Sequence, residues 1–462
     1  VLFNGYPFLF VFLPLALVGW FALRSQPLRL AFAIAASYVF YAYDEWWFPA
    51  LMLTTTVVAY VSGLGVASAT SERTRRLIVA GGVSAVLAQL GFFKYAELLA
   101  GNTSSLVATI TGRGLPTVEE FASGIVLPIG ISFFTFEAIS YIVDVYRRDI
   151  EPDRNPLRVF FFISFFPHLI AGPIVRYAKL RPQLERFAEF DIERFTSGIL
   201  LVAVGLVEKV VIADGLATHS DPLLNEPDTL ALGTAWTAMV AYSFRIYFDF
   251  AAYSDMALGL ARLFGIELPW NFDRPYRARS PREFWRRWHV TLSTWLRDYL
   301  YIPLGGNRKG PLRRDANVLA TMTLGGLWHG ASVTFAVWGF YQGVLLVAQN
   351  RLERFGLRVP SFLLGVLTFV LVTFGWAFFR MDNPGDVGAT LTALVGLAGV
   401  DSPARSLLPY IAVSATLVYA TPEAWSWRFE RWGAVRVAAV GACAALALIL
   451  LNDTQRFIYF RF

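Results

Sequence analysis

Two of the four histidines in this 462-residue chain, His289 and His329, each follow a tryptophan, in Trp288-His289 and Trp328-His329. His329 lies inside an apolar run from Asn317 to Gln349. An ionisable side chain at such a place is expensive to keep, and is a functional candidate by default. Gly325, Gly326 and Gly330 surround it, clearing bulk so that a substrate or another backbone can approach closely, and Trp328 supplies an amphipathic wall. An imidazole kept from water stays neutral and able to take a proton near about pH 7. Those are the requirements of a general base acting on a hydroxyl. The plainer alternative is a structural histidine bonded to a carbonyl of a neighbouring helix.

His289 ends the stretch Phe284-Trp285-Arg286-Arg287-Trp288-His289, in which aromatic and cationic groups alternate as in an interfacial belt. It reads either as a histidine at a headgroup boundary or as a second polar group at the cytoplasmic mouth of the same passage, orienting an acyl donor. Trp285, Arg286, Arg287, Trp288, Trp328, Asp298 and Ser332 are the side chains expected to contact substrate, the arginines because guanidinium pairs well with phosphate. Asp249, Asp255 and Asp298 also read as ion-pair partners of arginines such as Arg245, Arg262 or Arg297. His168 reads as a core histidine with a lesser prospect of lining a passage, and His219 as a loop-edge residue. Cys443 is the single cysteine, which leaves no intrachain disulfide or cysteine metal cluster. No P-loop, dinucleotide fingerprint, GxSxG elbow or zinc spacing is present, so neither a metal nor a bound cofactor is expected.

What must position these residues is a membrane protein. Hydrophobic residues make up 56% of the chain and charged residues 16%, and mean hydropathy is +0.51. Soluble domains carry about a quarter charged residues. Apolar blocks long enough for a bilayer recur throughout, and the pattern predicts an all-α polytopic membrane protein of about 11 transmembrane helices plus re-entrant segments around a central funnel. Arg24 follows the first apolar block and no basic run precedes it, which predicts a retained first span beginning outside. Spans are expected near 6–23, 30–43, 49–69, 77–99, 121–145, 196–217, 234–250, 360–379, 406–421 and 436–452. The 387–400 stretch is short, and the end RFIYFRF is expected outside. Residues 251–265, AAYSDMALGLARLFG, look like an interfacial helix, and 101–120 like a polar outer loop.

Two segments break this rhythm. VFFFISFFPHLIAGPIV (159–175) carries basic residues at both flanks and is interrupted by Pro167, Gly172 and Pro173, which predicts a re-entrant piece. Residues 317–349 likewise have basic flanks, predicting a hairpin with its turn at Gly330-Ala331-Ser332. A helix of roughly 15 residues climbs about 22 Å, which places His329 deep. Between Arg274 and Arg314 the basic residues are too dense for anything but the cytoplasm or its headgroup layer. The whole chain, 1–462, reads as a single membrane-embedded domain with a catalytic core at about 121–350, and no long polar tract predicts an appended soluble domain.

Long stretches of the chain resemble the membrane-bound O-acyltransferase family, in its alginate O-acetyltransferase-like branch, to which lipoteichoic acid D-alanyl transferases are related. They are LFNGYPFLFVFLPL near the start, LPIGISFFTFEAISYIVDVYR (127–147), FFPHLIAGPIVRY (165–177), YFDFAAYSDMALGLARLFG (247–265), FWRRWHVTLSTWLRDYLYIPLGGNRKG (284–310), LGGLWHGAS (324–332) and FIYFRF. The resemblance implies that His329 is the family's catalytic histidine and His289 its second motif histidine. It implies a ring of helices around a thinned centre, with acetyl-CoA or an acyl carrier protein as cytoplasmic donor. It further implies an extracytoplasmic polysaccharide acceptor, a separate SGNH-fold acetyltransferase partner, contact with membrane lipids, and no nucleic acid. One departure is His168, where glutamine is common in alginate-type members. Competing readings are a polysaccharide exporter or flippase, and a D-alanyl or lipid-directed acyltransferase.

Overall fold

A computed structural model describes residues 3–111, 118, 120, 123–186, 189–355, 359–427, 429, 432–453, 457 and 458. Every regular element among them is helical. The expected outer position of 456–462 falls largely outside these residues, as does part of the expected loop at 101–120. The chain divides into two compact units, one of Val1–Phe195 with Ala261–Leu268, the other of Thr196–Leu260 with Pro269–Phe462.

In the first unit α1 (Leu13–Ala22), α2 (Gln26–Ala42), α3 (Phe48–Ser68) and α4 (Glu72–Thr111) follow the expected apolar blocks. Helix α2 starts where it does because Ser25 accepts from the Leu28 N–H and Pro27 fits the first turn. Helix α4 runs through Gly101 to Thr111, well into what reads as a loop, because the polar residues after Leu99 include no helix-breaking proline before Pro116. After α5 (Ile131–Arg147) the 159–175 region is broken as expected. It consists of α6 (Pro156–Ser164), a single turn at Phe166–Leu169, an irregular stretch, and α7 (Tyr177–Leu184).

His168 sits in that break, fully buried, with Nδ1 2.9 Å from Glu137 Oε1 of α5. The same carboxylate accepts the Val175 N–H at 3.1 Å, so it satisfies backbone that the break leaves without helical partners. The core reading of His168 is the one the geometry bears out.

The second unit holds most of α8 (Ile192–Val207), a π-helical segment Glu208–Ala213, α9 (Asp214–Leu224) and most of α10 (Leu232–Leu263). The expected interfacial helix at 251–265 is corrected here. Its residues continue α10 without a break, and 251–261 are buried throughout, where an interfacial helix would show one wet face. The small side chains Ala251, Ala252, Ala257, Gly259 and Ala261 let neighbours pack on every side.

The aspartate partners also change. Asp298 does pair with Arg297, at 2.7 Å. Asp249 instead meets Lys209 at 2.9 Å, and Lys209 also meets Asp214 at 2.6 Å. Arg245 pairs with Asp221, and Arg262 lies 3.4 Å from Glu267.

Three short elements follow: α11 (Pro281–Arg287), α12 (Val290–Leu296) and a π-helical turn Arg297–Tyr301. The predicted hairpin is present as α13 (Gly310–His329) and α14 (Val333–Leu352), turning at residues 330–332. Helices α15 (Ser361–Arg380), α16 (Pro384–Leu394), α17 (Leu408–Ala420) and α18 (Ala434–Ile449) complete the order. Among the described residues, three helical stretches are long and apolar enough to cross a membrane unaided: Phe48–Ser68, Glu72–Ala96 and Ser361–Arg380.

Candidate active site

His329 is the last residue of α13, and the chain leaves it through an extended Gly330. Its ring is enclosed by indole and phenyl groups: Trp328 at 4.7 Å, Trp338 of α14 at 5.2 Å and Phe379 of α15 at 5.3 Å between centroids. The enclosure depends on how closely α13 and α14 approach. A side chain on Gly326 would run into the Phe335 carbonyl, and one on Gly339 into the Met322 carbonyl. Small residues at a helix contact allow such close packing in a membrane. Ser332, expected to touch substrate, caps α14 by accepting the Thr334 N–H at 3.3 Å, and its hydroxyl lies 3.1 Å from that of Thr334.

His289 is completely buried in the protein. It occupies the left-handed region, φ 41°, between α11 and α12. Phe250 meets its ring edge-on at 4.7 Å. Trp328 lies 6.4 Å away, so this one indole touches the surroundings of both histidines. Nδ1 is 3.3 Å from Asn271 Oδ1, a partner that spacing did not suggest because eighteen residues separate the two.

The Phe284–His289 stretch therefore divides differently from the belt pattern. Trp288 is buried against Trp376 and Phe272, at 5.1 Å from each, and Arg287 is held by Glu283 at 2.9 Å and Asp273 at 3.3 Å. Trp285 and Arg286 instead line a cleft of about 910 Å³. Its rim carries the guanidinium groups of Arg282, Arg286, Arg297 and Arg314, and Leu296, Val318, Met322 and Leu346 line its apolar wall. None of its lining residues is acidic among the described residues. Asp298 lies beside it, paired with Arg297. The π-helical turn Arg297–Tyr301 places both its end residues on this wall, a common way for such turns to re-aim side chains at functional sites.

His329 does not line the cleft. Trp285 on the cleft wall touches Trp338 at 5.9 Å, and Trp338 touches His329. Two indoles thus link an arginine-rimmed, apolar-walled cleft to a buried imidazole. The cleft can take an anionic head with an apolar arm, and the imidazole behind the two indoles can serve as a base.

Comparison with known proteins decides the family. Residues 153–362 match the profile of the membrane-bound O-acyltransferase family (MBOAT). A probable alginate O-acetylase, AlgI, of Pseudomonas syringae pv. tomato is 43% identical over 396 residues, covering 83% of this chain and 73% of that one. The chain belongs to the membrane-bound O-acyltransferase family. A peptidoglycan O-acetyltransferase of Helicobacter pylori is 34% identical over 435 residues, covering 87% and 81%. A teichoic acid D-alanyltransferase of Bacillus subtilis is 30% identical over 275 residues, covering 54% and 68%. As an MBOAT member the protein is a membrane-bound O-acyltransferase, and the apolar helices α3, α4 and α15 agree with that location.

Proposed function

We propose that this MBOAT protein is a multi-pass plasma-membrane O-acetyltransferase for an extracytoplasmic polysaccharide, alginate being the acceptor named for relatives 43% identical to it. The donor is a cytoplasmic thioester, acetyl-CoA or an acylated carrier protein, bound in the arginine-rimmed cleft between α11, α12, α13 and α14. Residues of about 121–350 form the catalytic core of one membrane-embedded domain. A separate SGNH-fold acetyltransferase receives the acetyl group outside and places it on the polymer. The observation that carries this reading is the chain of contacts from the cleft through Trp285 and Trp338 to His329.

In the proposed reaction His329 takes the proton of an acceptor hydroxyl as its oxygen attacks the thioester carbonyl. The tetrahedral intermediate collapses, the carbon–sulfur bond breaks, and the departing thiolate recovers that proton from the imidazolium. His289, with Trp328 between the two rings, orients the reacting groups. Trp285 and Arg286 hold the donor, whose phosphates suit guanidinium. Arg287, Trp288, Asp298 and Ser332 act by holding the walls.

Replacing His329 by Ala or Gln in a strain lacking its own copy tests this. Since general-base assistance is worth about 10²–10⁴-fold, O-acetyl groups on surface polysaccharide, read by mass analysis, should fall to near background while membrane levels of the protein stay normal. Undiminished acetylation would falsify the assignment. Acetylation spared with export blocked would favour an exporter, and acyl-CoA consumption requiring an added lysolipid would favour a lipid-directed enzyme.

A further inference from the structure

The backbone that carries His289 is pinned by a short antiparallel pairing. Val290 N–H donates to the Asn271 carbonyl at 2.9 Å, and Asp273 N–H donates to the Arg287 carbonyl at 3.0 Å. Asn271 is itself buried, 1% exposed, and its side chain faces three polar groups at once. Its Oδ1 accepts the Thr291 hydroxyl at 2.6 Å and lies 3.3 Å from His289 Nδ1, while its Nδ2 donates to Ser254 Oγ of α10 at 3.2 Å.

The distances set the amide's orientation: 2.6 Å to the Thr291 hydroxyl suits O–H···O and is short for N–H···O, whereas 3.2 Å to Ser254 suits N–H···O. With the oxygen turned to Thr291 and His289, one lone pair takes the hydroxyl hydrogen and the other faces Nδ1. Two acceptors cannot bond each other, so Nδ1 must bring the hydrogen. The hydrogen bond made by one ring nitrogen decides which nitrogen remains basic.

We propose that Asn271 is a positioning residue that holds His289 as the Nδ1–H tautomer, leaving Nε2 as its basic nitrogen. This rests on the assignment of His289 to acyl transfer. Thr291 holds the amide oxygen in place, and Ser254 takes the amide N–H. Phe250, edge-on to the ring, stops the imidazole from swinging away.

The chain has four histidines, so ¹⁵N-imidazole spectra of the full-length protein in detergent are tractable, and His289→Gln identifies the signal by its loss. His289 should show a protonated Nδ1 and an unprotonated Nε2, and Asn271→Ala should convert this to a tautomer mixture. In membranes supplied with acetyl-CoA, Asn271→Ala should lower kcat by about tenfold or more while KM for the donor moves less than about twofold. Asn271→Asp keeps an oxygen acceptor at the same place and should recover the Nδ1–H signature and much of the rate. If Asn271→Ala does not accumulate, Thr291→Val, which removes the hydroxyl that holds the amide oxygen, is expected to give the same tautomer mixture. A protonated Nε2 in the unmodified protein, or an unchanged spectrum in folded Asn271→Ala, overturns the proposal. Should the tautomer be held as described while His289→Gln acetylates at the full rate, the lock stands and the role of His289 in the reaction falls.

Discussion

What an arginine can offer an incoming phosphate depends on what already holds it. In the cleft, Arg282 is engaged by Glu353 at 3.1 Å, Arg297 by Asp298 at 2.7 Å and Arg314 by Asp315 at 2.7 Å. Arg286 is exposed and has no carboxylate partner among the described residues. Its neighbour Arg287 is bound on two sides and serves the fold. Arg286→Ala should therefore raise KM for acetyl-CoA about tenfold or more, the worth of one charge-assisted hydrogen bond, and leave kcat nearly unchanged. Arg287→Ala should show the opposite profile, a lower melting temperature in detergent without a selective rise in KM. Equal kinetic effects of the two substitutions would remove Arg286 from the donor site. Steady-state kinetics and a thermal melt on the same preparations separate these outcomes.

At the scale of elements, the hairpin α13–α14 was legible in the sequence because basic residues flank an apolar run too long for one crossing, and glycines mark its turn. The broken 159–175 segment was legible for a similar reason, since Pro167, Gly172 and Pro173 cannot sit in one continuous helix. Helix α10 was not, because Tyr253, Ser254 and Asp255 lower local hydropathy as an interface would, and only the neighbours packed around them make them interior. The Asn271–His289 contact was invisible too. It arises from two irregular segments pairing across eighteen residues, and no period or motif announces that. His168, whose partner Glu137 comes from another helix, showed only its type and its apolar setting. The hairpin also yields a test away from every reacting group. Gly339→Ala forces a methyl against the Met322 carbonyl and should part α13 from α14, displacing His329. Overpacking of this kind costs about 1–3 kcal/mol and should cut acyl transfer. Gly325→Ala meets just the flexible Leu296 side chain at 3.2 Å and should be far milder, which a paired activity assay would show.

Over the whole molecule the net charge of +6 is strongly polarised along the chain. Residues 274–314 carry eleven Lys and Arg against two acidic residues, Glu283 and Asp298. Between Lys209 and Arg245 there is no Lys or Arg at all, and the acidic Asp221, Glu226 and Asp228 fall there. Positive charge is retained on the cytoplasmic side of a membrane protein, so the cleft should open inward and the 221–228 loop outward. With that orientation the proposed transfer would run across the bilayer rather than on one face. The orientation can be measured through the single native cysteine, Cys443, by replacing it with Ser and introducing one new thiol at a time. Glu226 and Lys309 are both exposed and suit the purpose. In right-side-out vesicles an impermeant maleimide should label Glu226→Cys at once, and Lys309→Cys after permeabilisation alone. If both thiols react from the same side, the donor cleft and the acidic loop share a face. Transfer from an inner thioester to an outer hydroxyl would then need a route other than the one through His329.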